Sequence, residues 1–201
     1  MKSIAVINGG KNLASALAEM TGCAYIVRTP YSSIAAKYKL EPDISKCQWT
    51  DSFVYCIGAF TQRIIVEQKF QDSFVSDGGV FREISWLKCR YPQLELIYER
   101  SMIESLEKVI FKYASNQYDF IFHMDSLALR EVQALDSADD VNNYLKQAYS
   151  QYCLNHFVIN SANAEQALNE MLEILQVKPV LSAKYAILKA NNYVYPIEDS
   201  K

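Results

Sequence analysis

The chain has 201 residues, half of them hydrophobic and about a fifth charged, with a formal charge of −3. That is enough apolar material for one domain with a full core and room for a small appendage. The slight negative charge offers no global attraction to nucleic acid or an anionic membrane. No apolar run approaches the roughly 18 residues needed to span a bilayer, and the N-terminus lacks the pattern of a signal peptide. Cys23, Cys47, Cys56, Cys89 and Cys153 have no C-x-x-C spacing. An odd, unpatterned set points to reduced thiols in a cytoplasmic setting rather than a disulfide frame or zinc site.

Residues 3–7 are short, apolar and partly β-branched, and end at Gly9-Gly10, which predicts a buried strand. Leu13, Ala16, Leu17 and Met20 then recur at helical spacing, with Gly22 as a stop. A second apolar run, 23–27, closes at Arg28-Thr29-Pro30, and a short helix is expected near 34–38. The strongest helix signal covers 51–70, where Phe53, Ile57, Phe60, Ile64 and Phe70 form the stripe and Gln62, Arg63 and Glu67 the polar positions. Residues 73–77 read as a strand halted by Gly78-Gly79, followed by helical character over 80–88 and a break at Tyr91-Pro92. An amphipathic helix over 101–113 precedes an aromatic strand, 118–124. A helix over 138–152, a strand at 157–159 and a helix carrying Ala164, Leu168, Met171 and Leu175 complete the rhythm. Helices alternating with short apolar strands predict a three-layer α/β sandwich with a mainly parallel sheet. The segment after Pro179 breaks the pattern, and Tyr185–Leu188 with Tyr193–Tyr195 suggest a hairpin or a partner-binding arm. Residues 1–177 are therefore expected to form the α/β domain and 178–201 a C-terminal extension.

Chemistry concentrates where strands end. Strand, Asn8-Gly9-Gly10-Lys11-Asn12, helix is the layout of a phosphate-binding loop. The usual G-x-x-x-x-G-K-[ST] is not met: the loop is about four residues short, and Asn12 stands where a Mg²⁺-binding hydroxyl is needed. Gly9, Gly10, Lys11 and Asn12 are the candidate phosphate-binding residues; a tight turn with a solvated lysine is the plain alternative. Asp77, at the carboxyl end of a strand, is a candidate Mg²⁺ ligand or base, although Asp-Gly-Gly is also ordinary turn chemistry. Arg82 and Arg130 are candidate cations over a moving phosphate, and Arg28 lies where a small substrate would enter. Each could instead be a solvated helix arginine. His123 and His156 have no metal-ligand spacing, there is no G-x-S-x-G elbow, and the aromatics are not interleaved with basic clusters.

The order of these elements resembles the P-loop nucleoside and nucleotide kinases of the ribosylnicotinamide-kinase-like group, often described as AAA-type ATPase domains and common in phages. Residues 73–77 align with that family's Asp-bearing strand, Tyr118-Asp119-Phe120-Ile121-Phe122 with its later strand, and 157–159 with 164–175 with its closing pair. The resemblance spans about residues 3–176 and implies a P-loop kinase-like fold, with ATP and Mg²⁺ as cofactors if the protein is active. Three features depart from the family: the loop is short and ends in Asn12, Gly78 replaces the arginine after Asp77, and the acidic lid segment 134–140 holds no arginine. Because catalysis in this class is almost all positioning and charge, a missing cation costs about 10³-fold or more. The leading expectation is thus a degenerate, kinase-like pseudo-enzyme that binds a nucleotide, a protein partner or its own copy. The alternatives are an active ATP-dependent kinase, with Lys11, Asp77, Arg82 and Arg130 as its machinery, and a structural subunit of a larger, phage-type assembly.

Overall fold

In the computed structural model, β1 (Ser3–Ile7) alternates its side chains between two faces. Ile4 and Val6 enter one apolar cluster, while Ala5 and Ile7 enter another. The structure describes residues 2–70, 73–91, 97–125, 138–161 and 163–192. β1 is flanked in a five-stranded sheet of order β2-β3-β1-β4-β5, formed with β2 (Ala24–Ile26), β3 (Phe74–Asp77), β4 (Phe120–Met124) and β5 (His156–Ile159). Every pairing is parallel, with Val6 opposite Asp77 and Ile7 opposite His123.

Three helices cover one face: α1 (Gly10–Thr21), α7 (Ala164–Leu175) and α8 (Ala183–Asn191). The other carries α3 (Trp49–Glu67), α4 (Phe81–Arg90), α5 (Ile97–Gln117) and α6 (Ala138–Gln151), with α2 (Tyr31–Tyr38) packed on α3. This is the expected three-layer sandwich. β1 leads to α1 on one face, whereas its neighbours β3 and β4 lead to helices on the other. The carboxyl edge around β1 is therefore a topological switch point, the place where open α/β sheets bind ligands.

Two expectations are corrected. The hairpin expected in 178–201 is a helix over its described part: α8 buries Ala183, Ala186 and Ala190 against α1 and α7. Small residues at i, i+3 and i+7 form a helical seam, and that periodicity outweighed the β-forming tyrosines. Residues 193–201 lie outside the described residues. In α3 the polar assignment is inverted in part, because Arg63 and Glu67 are buried while Val54, Ile57 and Ile65 are exposed. No helix among the described residues is long and apolar enough to cross a membrane.

Candidate functional site

The β1-to-α1 connection consists of Asn8 and Gly9 alone. Asn8 is left-handed, with φ 61°. Gly9 is the helix N-cap, and a Cβ on it would lie 2.8 Å from Leu13 Cδ2, 2.9 Å from Val6 Cγ1 and 3.1 Å from Met124 Cγ. Glycine is thus required here by packing, and the turn is pressed flat onto the core. Gly10, Lys11 and Asn12 occupy the first turn of α1, whose N-terminal N–H groups are the anion-attracting end of the helix. Asn12 is exposed.

Asp77 ends β3 and is 8% exposed. Gly78 and Gly79 follow with φ of 75° and 54°, and the Gly78 N–H donates to the Val6 carbonyl at 2.8 Å. A Cβ on Gly79 would meet Ala5 Cβ at 3.1 Å, whereas one on Gly78 meets nothing within 4 Å. The two glycines close the strand end onto β1 and leave open space beside Asp77. Arg82 lies half-buried in the first turn of α4. Arg130 and residues 134–137 of the lid segment lie outside the described residues.

Beneath Asp77 is a buried polar network that includes Arg63 and Glu67, two of the polar positions of α3. The Arg63 guanidinium donates to the Asp77 carbonyl and to Ser76 Oγ, both at 3.0 Å, and to the Ile26 and Val27 carbonyls at 3.4 Å. It thereby ties together the carboxyl ends of β2 and β3. Glu67 accepts from Ser76 (2.8 Å), Tyr118 (2.7 Å) and Tyr113 (2.9 Å). Burial raises the proton affinity of Glu67 above the ordinary carboxylate value, against the opposing pull of Arg63 and these hydrogen bonds. A carboxylate raised on folding favours the native state most at low pH and loses that contribution as pH rises through the raised value. Glu67→Gln mimics the protonated form. Its stability relative to wild type should therefore climb as pH goes from about 5 to about 8 in urea titrations; a falling difference would contradict the assignment.

A second group gathers beyond the ends of β2 and β3. Glu83, in the first turn of α4, is 7% exposed, and among the described residues its carboxylate makes no hydrogen bond or ion pair. Trp86, one turn on, is 5% exposed, and its indole Nε1 has no hydrogen-bond partner among the described residues. Its ring meets Tyr55 at 6.1 Å, and Tyr55 meets Tyr31 at 4.8 Å. Burial, then the Glu83 charge, push the Tyr55 hydroxyl far up, while Arg28 pulls it down. Arg28 and Glu83 therefore act on the same tyrosine. Among the described residues Trp86 Nε1 is the buried side-chain polar atom without a partner, framed by the Tyr55 ring, and such a donor is what a small polar, planar ligand can engage. Sequence reasoning picked out Arg28 but missed Glu83, Trp86 and Tyr55. The available signal was Glu83 lying one and a half turns beyond Asp77, on an otherwise apolar face.

No protein-family model matches the chain, and no curated protein matches it in sequence. Among solved structures it is similar to a deoxyadenosine kinase from M. mycoides with bound dATP. The TM-score is 0.57 at 12% identity, covering 88% of this chain and 100% of that one. The chain thus shares the α/β fold of that kinase. With identity this low, the likeness concerns architecture alone.

Proposed function

We propose that this protein binds a nucleoside or nucleotide at the carboxyl edge of its sheet and transfers phosphate weakly or not at all. The observation that carries this reading is the two-residue turn between β1 and α1. Wrapping a polyphosphate takes an arch of several inward-pointing amides; a flat turn presents little beyond the N-terminus of α1. One phosphate can still rest there, near Lys11, by the ordinary attraction of a helix N-terminus. In this reading the base would lie beside Tyr55, with Glu83 accepting, Trp86 Nε1 donating and Arg28 alongside. The bound dATP of the M. mycoides enzyme makes adenine nucleotides the natural first probes.

If the protein is active, Asp77 would hold Mg²⁺, with Arg82 and Arg130 as cations and ATP as donor. Mg²⁺ commonly takes one or two carboxylates alongside phosphate oxygens, so Asp77 is a compatible ligand. No cluster of three metal-ligating side chains occurs among the described residues. Bound Mg²⁺ would neutralise charge on the transferred group. In this reading Asn12, in place of a hydroxyl, is a poorer partner for the ion.

Calorimetric titration of ATP, with and without Mg²⁺, and of deoxyadenosine separates these cases. We expect binding in the range of about 0.1–1 mM, about equal with and without Mg²⁺, since a single helix N-terminus gives modest affinity. Lys11→Ala should weaken ATP but not deoxyadenosine. Strict Mg²⁺ dependence together with turnover abolished in Lys11→Ala would establish an active kinase instead. No binding of either probe would leave the fold as a scaffold for a protein partner.

A further inference from the structure

We propose that Asn142 of α6 is the positioning residue of the β1-to-α1 turn. It would hold Asn8 in its left-handed conformation and couple anything bound at the turn to α6. The inference rests on the turn being the phosphate site only for its ligand arm; the conformational arm stands without it.

A non-glycine residue at φ 61° costs on the order of 1 kcal/mol and persists where its surroundings over-determine it. Asparagine tolerates this region better than most residues. Here the determinant is distant in sequence. Asn8 Nδ2 donates to Asn142 Oδ1 at 2.8 Å. That oxygen also meets His123 Nε2 at 2.5 Å, and Asn142 Nδ2 donates to Asp125 Oδ1 at 2.8 Å. Lys146 Nζ holds the other Asp125 oxygen at 2.7 Å. Asn142 is 3% exposed and His123 fully buried.

The polarity of this chain fixes the orientation of the Asn142 amide. Asp125, ion-paired to Lys146, can only accept. Asn142 must therefore turn its NH₂ towards Asp125 and its carbonyl towards Asn8 and His123. His123 must then present a proton on Nε2, while its Nδ1 lies 3.3 Å from the Tyr149 hydroxyl. Asn142, Lys146 and Tyr149, at i, i+4 and i+7, share one face of α6. One helix face thus reads the end of β4 and the start of α1 together. In glycine-rich loops the backbone shape is set locally; in this short turn a buried amide supplied by α6 sets it.

The test records ligand-free amide resonances and hydrogen exchange of Gly9, Gly10 and Lys11 by NMR. The samples are wild type, Asn142→Ala, Asn8→Asp and the pair Asn8→Gly with Asn8→Gly/Asn142→Ala. Asn8→Asp keeps a residue that tolerates the left-handed region but cannot donate to Asn142, so it serves if Asn142→Ala fails to fold. Both single changes should move the three amides and speed their exchange by about tenfold, with cooperative unfolding retained. In the Asn8→Gly background, where the left-handed conformation is cheap, removing Asn142 should leave these amides nearly unchanged. ATP affinity should fall about tenfold in Asn142→Ala, the scale of one lost positioning hydrogen bond. Unmoved amides in both single variants would overturn the proposal. So would equal shifts on removing Asn142 with and without Asn8→Gly, the mark of a merely structural role. If wild type binds no ATP, the nucleotide reading fails while the amide shifts still decide the role of Asn142.

Discussion

Arg63→Met should lower the unfolding free energy by about 3–5 kcal/mol, the scale for removing one member of a buried charge network. Methionine fills most of the volume, so the loss is electrostatic. The Asp77 carbonyl and Ser76 hydroxyl each lose a 3.0 Å donor. Glu67, fully buried, loses the positive charge that opposes its desolvation. The sign of the pH dependence follows: proton affinity at Glu67 rises further, so the penalty should be smaller near pH 5 and larger near pH 8, values of about that size bracketing a raised carboxylate. Urea titrations at both pH values read this directly. The double variant Arg63→Met/Glu67→Gln should recover part of the loss, because no charge is then left buried alone. A loss below about 1 kcal/mol, in the range of an exposed pair, would mean that Arg63 does not bridge β2 and β3 as described.

Glu83→Gln should have the opposite profile, with binding lost and stability kept. A charged acceptor contributes about 1.5–3 kcal/mol to a ligand hydrogen bond, so deoxyadenosine affinity should fall about 10- to 100-fold. In the free protein the Glu83 carboxylate has no hydrogen bond or ion pair among the described residues, so removing its charge breaks no contact. What is forfeited is its place in the first turn of α4, worth about 0.3–1 kcal/mol, offset by relief of desolvation. Calorimetry of the ligand and thermal unfolding of the same variant, side by side, decide the matter. Unchanged affinity would remove Glu83 from the site; a stability loss of several kcal/mol, far beyond a helix-terminus effect, would make it a structural residue.

These two residues show where reading the chain alone reaches its limit. Strands β1, β3, β4 and β5 were legible because short apolar runs ended by glycine or polar turns have few other uses. The aromatic run around Phe120–Met124 and the seam of α7 were equally plain. Arg63 and Glu67 were not, because a charged pair at i, i+4 on a helix usually faces water. Their burial depends on Ser76, Tyr113 and Tyr118 arriving from other elements to satisfy them. Glu83 and Trp86 were invisible for a related reason: whether a polar atom lacks a partner is known only once every neighbour is placed.

The sequence by itself determined the three-layer α/β class, a shortened loop over residues 8–12, the missing hydroxyl at Asn12 and the carboxylate at the end of β3. Local spacing and residue chemistry carry those features. Only the tertiary structure decided the strand order that sets β1 between β3 and β4, and with it the topological switch point. It also put Arg28 and Glu83 both within electrostatic reach of Tyr55, and turned the expected C-terminal hairpin into a helix on α1. Such features depend on contacts between residues far apart in the chain, and periodicity records only which face a residue prefers, not what it will meet there.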